Sequence, residues 1–268
     1  MLVAHKLSFQ IDGKTLLQPM DFALPAGTVI AVLGPNGAGK TTLMSLLSGH
    51  YRPSMGKVSL NGRALDGLPS RTLACVRAVL QQDTSVAFDY TVRDIVELGR
   101  YPHRLHPSRD EAGIVQAALC ACKVAHLQDR ILNTLSGGEK ARAQLARVLA
   151  QIWHAPPDGQ SRWLFLDEPT AALDLAHQHQ VMALARSWAK EQGVGVVAVL
   201  HDLNLALRYA DHTLVLQQGR LVAEATPHSV LDQPTLQSVW GVASSAVIAA
   251  DGVPQRLVSW VEATPTTA

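Results

Sequence analysis

The segment Gly34-Pro35-Asn36-Gly37-Ala38-Gly39-Lys40-Thr41 constrains this chain more than any other. It follows a short apolar, β-prone run at 28–33 (TVIAVL) and opens a stretch of helical pattern at 41–47. The spacing G-x-x-x-x-G-K-[ST] between a strand and a helix is the layout of a phosphate cradle. Glycines let backbone N–H groups wrap an anion without side-chain clash, and the helix start adds positive potential. In that layout Lys40 offers a point charge to the β- and γ-phosphates and Thr41 a hydroxyl to Mg²⁺, with Thr42 beside it on the helix. The alternative, a glycine-rich turn before an ordinary helix, does not call for a buried strand on one side and a lysine on the other.

Two further apolar runs predict strands. Residues 163–166 (WLFL) end in Asp167–Glu168, and residues 194–200 (VGVVAVL) end in His201. Continuous Val- and Leu-rich runs mark strands buried on both faces of a parallel sheet, and such sheets bind ligands at their carboxyl ends. An acid at that end can hold Mg²⁺ through water, and an adjacent acid can polarise an attacking water as general base. Taken alone, Asp167 and Glu168 fit a pair of solvated loop carboxylates equally well; the phosphate cradle favours the site. Residues 91–150 are helical in pattern, broken by YPHRLHPS and LQDRILNTLSGG, and read as a helical subdomain inserted into the α/β core. The stretch 154–162 (HAPPDGQSR) reads as a surface loop, and the tail VEATPTTA as frayed.

Leu135-Ser136-Gly137-Gly138-Glu139 stands at the start of the helical stretch EKARAQLARVLAQ. A serine hydroxyl and glycine amides at a helix start form an anion site, and Ser136 also suits the N-cap. One chain thus offers two phosphate-binding helix starts. In the order phosphate loop, LSGG, LFLDE and His, the sequence resembles the ABC ATPase family, whose signature is LSGGQ; Glu139 replaces the common Gln.

The resemblance runs from Lys6 to about Val242 and implies a P-loop NTPase fold with a RecA-like parallel-sheet core. It implies a single nucleotide-binding domain over 1–268, a helical subdomain at about 84–150 and a short C-terminal extension at about 243–268. It implies ATP and Mg²⁺ as cofactors. Gly34 to Thr42 would hold the nucleotide, with Thr41, Gln82 and Asp167 on the metal. Glu168 would act as base, Gln82 as the glutamine that senses Mg²⁺ and water, and His201 as the switch histidine. Asp174 would lie at the interface of a homodimer, in which Ser136, Gly137 and Gly138 of one subunit complete the site of the other. Ile11 occupies the place where many relatives stack an aromatic residue on adenine, with Phe9 nearby; apolar packing there discriminates bases weakly, which leaves GTP as a second substrate. GRYPHR after TVRDIVELG, PTAALDLAHQH after the base, and the loop before RWLFLDEPT are similar to ATPases of iron–siderophore, vitamin B12 and haem importers, most of all the hemin-import group. That implies a membrane permease as partner and a periplasmic or lipid-anchored haem-binding protein beyond it. The segments 82–90 and 101–108 are expected to face the permease.

Composition narrows the other classes. The net charge is +1, too small for a general nucleic-acid-binding field. Cys75, Cys120 and Cys122 are odd in number and lack metal-site spacing, which fits a reduced compartment. No signal peptide is read at the N-terminus, and the most apolar run is far short of the ~20 residues a spanning helix needs. The expected location is the cytoplasmic face of a bacterial inner membrane. A chromosome or DNA-repair ATPase would carry a long coiled-coil insertion, and a ribosome factor two ATPase halves; neither is present. His177 and His179, two residues apart, fall on different helix faces and read as surface or interface residues; His103 and His106 read as permease contacts.

Overall fold

The computed structural model describes residues 1–82 and 86–260. The chain begins with a four-stranded antiparallel sheet, order β2-β1-β4-β5, from β1 (Leu2–Ile11), β2 (Lys14–Leu24), β4 (Met55–Leu60) and β5 (Arg63–Ala64). Pro19 lies in β2, an edge strand where its missing N–H breaks no ladder. The central sheet has six strands, order β10-β9-β3-β8-β7-β6: β3 (Val29–Leu33), β6 (Arg77–Leu80), β7 (Trp163–Asp167), β8 (Gly195–Val199), β9 (His212–Gln217) and β10 (Arg220–Ala225). Its pairings from β9 to β6 are parallel, and β10 closes one edge antiparallel.

Every residue of β3, β7 and β8 is buried, as their unbroken apolar runs predict. Strand alternation divides them between two cores. Val29, Ala31, Leu33, Leu164, Leu166, Val196 and Ala198 share one core with helices α3 (Val92–Leu98), α4 (Glu111–Ala121), α5 (Gly137–Gln151), α6 (Leu175–Gln192) and α7 (Leu203–Tyr209). Ile30, Val32, Trp163, Phe165, Val197 and Val199 face α1 (Lys40–Leu47) and the N-terminal sheet. The inserted helices α3, α4 and α5 therefore have no separate core; theirs runs on into one face of the central sheet. The remaining helices are α2 (Ser70–Val76), α8 (Pro227–Val230) and α9 (Gln233–Trp240).

The helix starts are set locally. Thr91 and Asp94 form a reciprocal capping box on α3, and Ser136 and Glu139 form one on α5. Asp110, Asp174, Asp202 and Asp232 cap α4, α6, α7 and α9. Helix α1 differs: Gly39 sits at its N-cap with φ 100° and no side-chain cap, so its first amides remain free for a ligand.

Neither the N-terminal sheet nor the C-terminal hairpin is anticipated by the sequence reading. The hairpin pairs β11 (Val242–Ile248) with β12 (Pro254–Trp260). Asn204 of α7 anchors it twice, donating to Arg256 O (3.2 Å) and accepting from Arg256 N (2.7 Å), and Arg208 pairs with Asp251. The expected helical subdomain limit at 84 and the tail 261–268 fall outside the described residues. The surface-loop reading of 154–162 fails at its last residue. Arg162 is only 4% exposed and donates to the carbonyls of Ile152 (2.8 Å), Trp153 (2.5 Å) and Gln192 (2.9 Å). It ties the carboxyl ends of α5 and α6 together, where unpaired helix carbonyls attract a cation. Among the described residues no helix is long and apolar enough to cross a membrane.

Candidate nucleotide site

The phosphate loop joins β3 to α1, and its three glycines all take a positive φ that other residues rarely adopt. Gly34 has φ 148°, and a Cβ there would stand 2.2 Å from Leu216 O. Gly39 has φ 100°, and its Cβ would stand 2.7 Å from Leu17 Cδ2. Both positions exclude side chains for reasons independent of any ligand, which is how the fold fixes the loop. Lys40 is buried and donates from Nζ to Gly34 O (2.9 Å) and Pro35 O (3.0 Å), so its ammonium lies against the loop it would serve. Burial pushes that ammonium below its ordinary pKa, and the charges of Glu168 and Asp167 work against the shift.

Around the loop lies a cavity of about 690 Å³, lined by Leu16, Asn36, Gly37, Gly39, Lys40, Thr41, Thr42, Gln82, Glu168 and His201. Three strand ends converge on it. Gln82 follows β6, Glu168 follows β7 and His201 follows β8. Gln82 Nε2 donates to Glu168 Oε2 (2.8 Å), and His201 Nε2 lies 2.7 Å from Glu168 Oε1. Both carboxylate oxygens are thus held, one from each neighbouring strand. Glu168 itself has φ 51°, a left-handed conformation that non-glycine residues adopt rarely and mostly where function holds them there.

Asp167 ends β7 facing the other way, into a second cavity it shares with Thr41 and Gln82. It is 6% exposed, and its Oδ1 has no hydrogen-bond partner. Burial, then the charge of Glu168, raise its carboxyl above the usual range; the Thr41 hydroxyl, Lys40 and His201 pull it back. A buried carboxylate oxygen without a donor, beside a threonine hydroxyl, suits a hard cation that takes oxygen ligands. Among the described residues no cluster of three or more His, Cys, Asp or Glu could hold a metal alone.

The sequence-predicted residues do not all meet. Gly34 and Pro35 border a neighbouring hollow with Trp240, which shares Asn36 and His201 with the nucleotide cavity, and Ala38 is buried. Ser136, Gly137 and Gly138 lie outside the nucleotide cavity of their own chain, and Gly138 packs near Leu173 and Ala172 just before Asp174. Ser136 Oγ and N both donate to Glu139 Oε2 at 2.8 Å, which accounts for an acid in this place: it completes a cap. Asp174 caps α6 through His177 N (2.9 Å) and pairs with His177 Nδ1 (2.8 Å), while His179 bonds Tyr209 Oη (2.9 Å). Ile11 is exposed and does not line the cavity; Phe9 stacks on Tyr51 instead (5.5 Å, 4° between planes). Leu16 is the apolar residue at the cavity, and the sequence carries no signal for it because β2 alternates only from Pro19 onward and the Leu16–Leu17 pair lies before that.

The sequence profile described as ABC transporter matches residues 17–171. The chain belongs to the ABC transporter family. As an ABC ATPase it binds ATP and hydrolyses it. It is similar to the hemin import ATP-binding protein HmuV of Gloeobacter violaceus (49% identity, covering 90% of this chain and 88% of that protein). The HmuV of Escherichia coli O157:H7 is 39% identical over 90% and 92%, and that of Rhodopseudomonas palustris strain BisB18 is 43% identical over 98% and 96%. Among solved structures, a metal-chelate type ABC transporter in an inward-facing conformation matches with TM-score 0.80 and 27% identity over 97% of both chains. A dimeric ATP-binding cassette bound to ADP and Pi matches with TM-score 0.75 and 23% identity over 85% and 99%, a likeness of fold.

Proposed function

We propose that this ABC ATPase works as a homodimer beneath a membrane permease and couples ATP hydrolysis to import of haem. The observation that carries the dimer is the separation of the signature from its own chain's nucleotide cavity. Ser136, Gly137 and Gly138 form an anion-binding helix start with no phosphate loop of the same chain before it, so a second copy supplies the missing half. ATP then lies between Gly34–Thr42 of one subunit and Ser136–Gly138 of the other.

Glu168 is the base that takes a proton from the attacking water. Gln82 and His201 orient its two oxygens, and Gln82 also reports its state toward the permease side. Lys40 gives up its carbonyl contacts for phosphate oxygens. Thr41 and Asp167, with Gln82 nearby, would hold Mg²⁺, which when bound supplies charge neutralisation at the β- and γ-phosphates. The orphaned Oδ1 of Asp167 supports that assignment. Leu16 replaces an aromatic platform, so GTP is expected as a second substrate.

The permease surface is formed around Phe88 and Tyr101–Ser108. Phe88, Tyr101 and Leu105 are 70%, 60% and 62% exposed, more than Tyr90, Leu98 and Ile131, the other large apolar side chains exposed in the insert. His103 is the exception: it turns inward and bonds Gln151 O (2.7 Å). On this reading the subunit sits peripherally on the cytoplasmic face of a bacterial inner membrane, with a periplasmic or lipid-anchored haem-binding protein feeding the permease from the far side. Haem as cargo rests on the hemin-import relatives; the metal-chelate transporter of similar structure supports ferric siderophore as the second reading.

Mixing Ser136→Arg chains with Lys40→Ala chains tests the composite site. Each is inactive alone, and the mixture forms heterodimers with one intact site; recovered ATPase activity is expected, and none despite ATP-driven dimerisation counts against it. For cargo, deletion of the gene in iron-starved cells is expected to abolish growth on haem. Normal growth on haem with loss on a ferric siderophore would overturn the haem assignment.

A further inference from the structure

A cavity of about 430 Å³ lies between α2, the turn after α3 and the loop after α5. That is a common size for a small-ligand site. Its lining omits every residue of the nucleotide cavity, and also Phe88, Tyr101 and Leu105, the apolar side chains assigned to the permease. Pro102, Pro107, Ala155, Pro156 and Pro157 give it an apolar wall, stiffened because proline fixes φ. The imidazoles of His103, His106 and His154 line it, with the Cys75 thiol and the guanidiniums of Arg71 and Arg100. Among the described residues no carboxylate lines it.

Several of these polar groups are already committed. His103 Nε2 meets Gln151 O at 2.7 Å; a carbonyl only accepts, so that nitrogen carries the proton, and burial lowers the ring's pKa. Arg100 donates to Glu111 (2.6 and 3.0 Å) and to Ala150 O (2.6 Å). Burial holds Cys75 as a thiol, with Arg71 and Arg100 opposing the shift. Three groups remain. His106 and His154 are exposed, come from separate segments, and neither ring is hydrogen-bonded among the described residues. Arg71 gives only its Nε, to Pro102 O (3.0 Å), and is in no ion pair among the described residues. An apolar wall with open imidazoles and an open guanidinium suits a flat metal chelate that carries carboxylates. A bare ion fits less well, because among the described residues no group of three or more His, Cys, Asp or Glu could hold one. Haem brings its own four nitrogens and asks the protein for only one or two axial ligands. We propose that this cavity binds haem, its iron taken by the imidazoles of His106 and His154 and a propionate by Arg71. The proposal goes beyond the cargo reading, in which haem crosses inside the permease and this subunit supplies only hydrolysis. It stands on the cavity's own chemistry, so its failure leaves the cargo reading standing, and a failed growth test on haem leaves the site standing.

The test titrates the purified full-length chain with hemin and reads the Soret band and the electron paramagnetic resonance spectrum. Saturable binding of one haem per chain with an imidazole-ligated spectrum is expected. Replacing both rings, His106→Ala with His154→Ala, is expected to weaken binding at least ~10-fold, the floor for losing even an outer-shell partner of a metal. Both rings are exposed, so the double variant should melt like the wild type. Arg71→Met is expected to weaken hemin binding about 2–5-fold, the worth of an exposed ion pair, and to remove the preference of the wild type for hemin over its dimethyl ester. Cys75→Ser is expected to leave the spectrum unchanged; a changed spectrum would make the thiolate the ligand and overturn the imidazole assignment. Absence of saturable binding, or binding indifferent to the double variant, would overturn the site. So would displacement of hemin by Zn²⁺ through the same histidines, which would make this a site for a bare ion. Metal-free protoporphyrin binding as tightly as hemin would equally count against it, since apolar fit alone would then explain the affinity.

Discussion

Glu168→Gln exchanges one carboxylate oxygen for an amide and leaves the length of the side chain unchanged. The structure allows its effect on folding to be separated from its effect on chemistry. Wild-type Glu168 accepts from Gln82 Nε2 at 2.8 Å and meets His201 Nε2 at 2.7 Å. The amide can repeat both contacts, its oxygen accepting from Gln82 and its nitrogen donating to a His201 ring protonated on Nδ1. Two charge-assisted bonds become neutral ones, a loss of roughly 1 kcal/mol each. Against this, the repulsion that helps to raise the Asp167 carboxyl disappears. The net change in stability is expected to stay within about 1 kcal/mol, a few degrees in Tm for a chain of this size. Hydrolysis loses its general base, which is worth about 10²–10⁴-fold, or about 2.7–5.4 kcal/mol in the barrier. ATP binding uses the loop and Lys40 and is expected to persist, so the variant accumulates as an ATP-bound dimer. Phosphate release at saturating ATP, sedimentation with and without ATP, and a thermal melt together make the measurement. A loss under tenfold, with a normal melt, would refute the assignment of the base; a large loss accompanied by collapse of the melt would refute the claim that the amide preserves the junction.

Asp167→Asn is expected to raise the Tm of the nucleotide-free protein at neutral pH and to remove Mg²⁺-dependent stabilisation by ATP. The sign follows from the raised carboxyl: its folded pKa lies above the unfolded one, so its contribution is most favourable below the unfolded value and is lost as pH rises through the folded one. The gain from Asn should therefore shrink in melts at acid pH, and a gain independent of pH would contradict the reasoning. Arg162→Ala removes three charged hydrogen bonds to helix-end carbonyls at a buried site and is expected to cost about 2–4 kcal/mol, roughly 4–16 °C in Tm; a melt within 2 °C of wild type (about 1 kcal/mol or less) would show the ties to be dispensable. Cys122 is buried and burial raises its thiol, whereas Cys120 is exposed. A thiol reagent should label Cys120 in the folded protein and Cys122 only in denaturant, as peptide mapping would show.

The sequence alone was sufficient for what depends on neighbours in the chain. A glycine-rich turn between a buried strand and a helix has one common use, and TVIAVL, WLFL and VGVVAVL state by their apolarity that both faces are covered. The cap of α5 is likewise written in Ser136 and Glu139, three residues apart. What the sequence left open depends on which strand ends stand side by side. Gln82, Glu168 and His201 each close a different strand, and only the order β8-β7-β6 brings them to one carboxylate. The family resemblance supplied their roles, but not that both oxygens of Glu168 are held or that its backbone is left-handed. Arg162 looked like part of a polar loop because local composition cannot report that two helix ends from distant segments converge on it. Ile11 matched a family position by counting, yet Leu16 is what the antiparallel pairing of β1 and β2 brings to the cavity. The arginines of β6 and α5 were unremarkable in the sequence, since a charge reads as solvated until the fold draws it inward; tertiary packing alone decided that Arg77 and Arg147 line one cavity, half-buried, with no carboxylate among the described residues close enough to oppose the effect of burial on either.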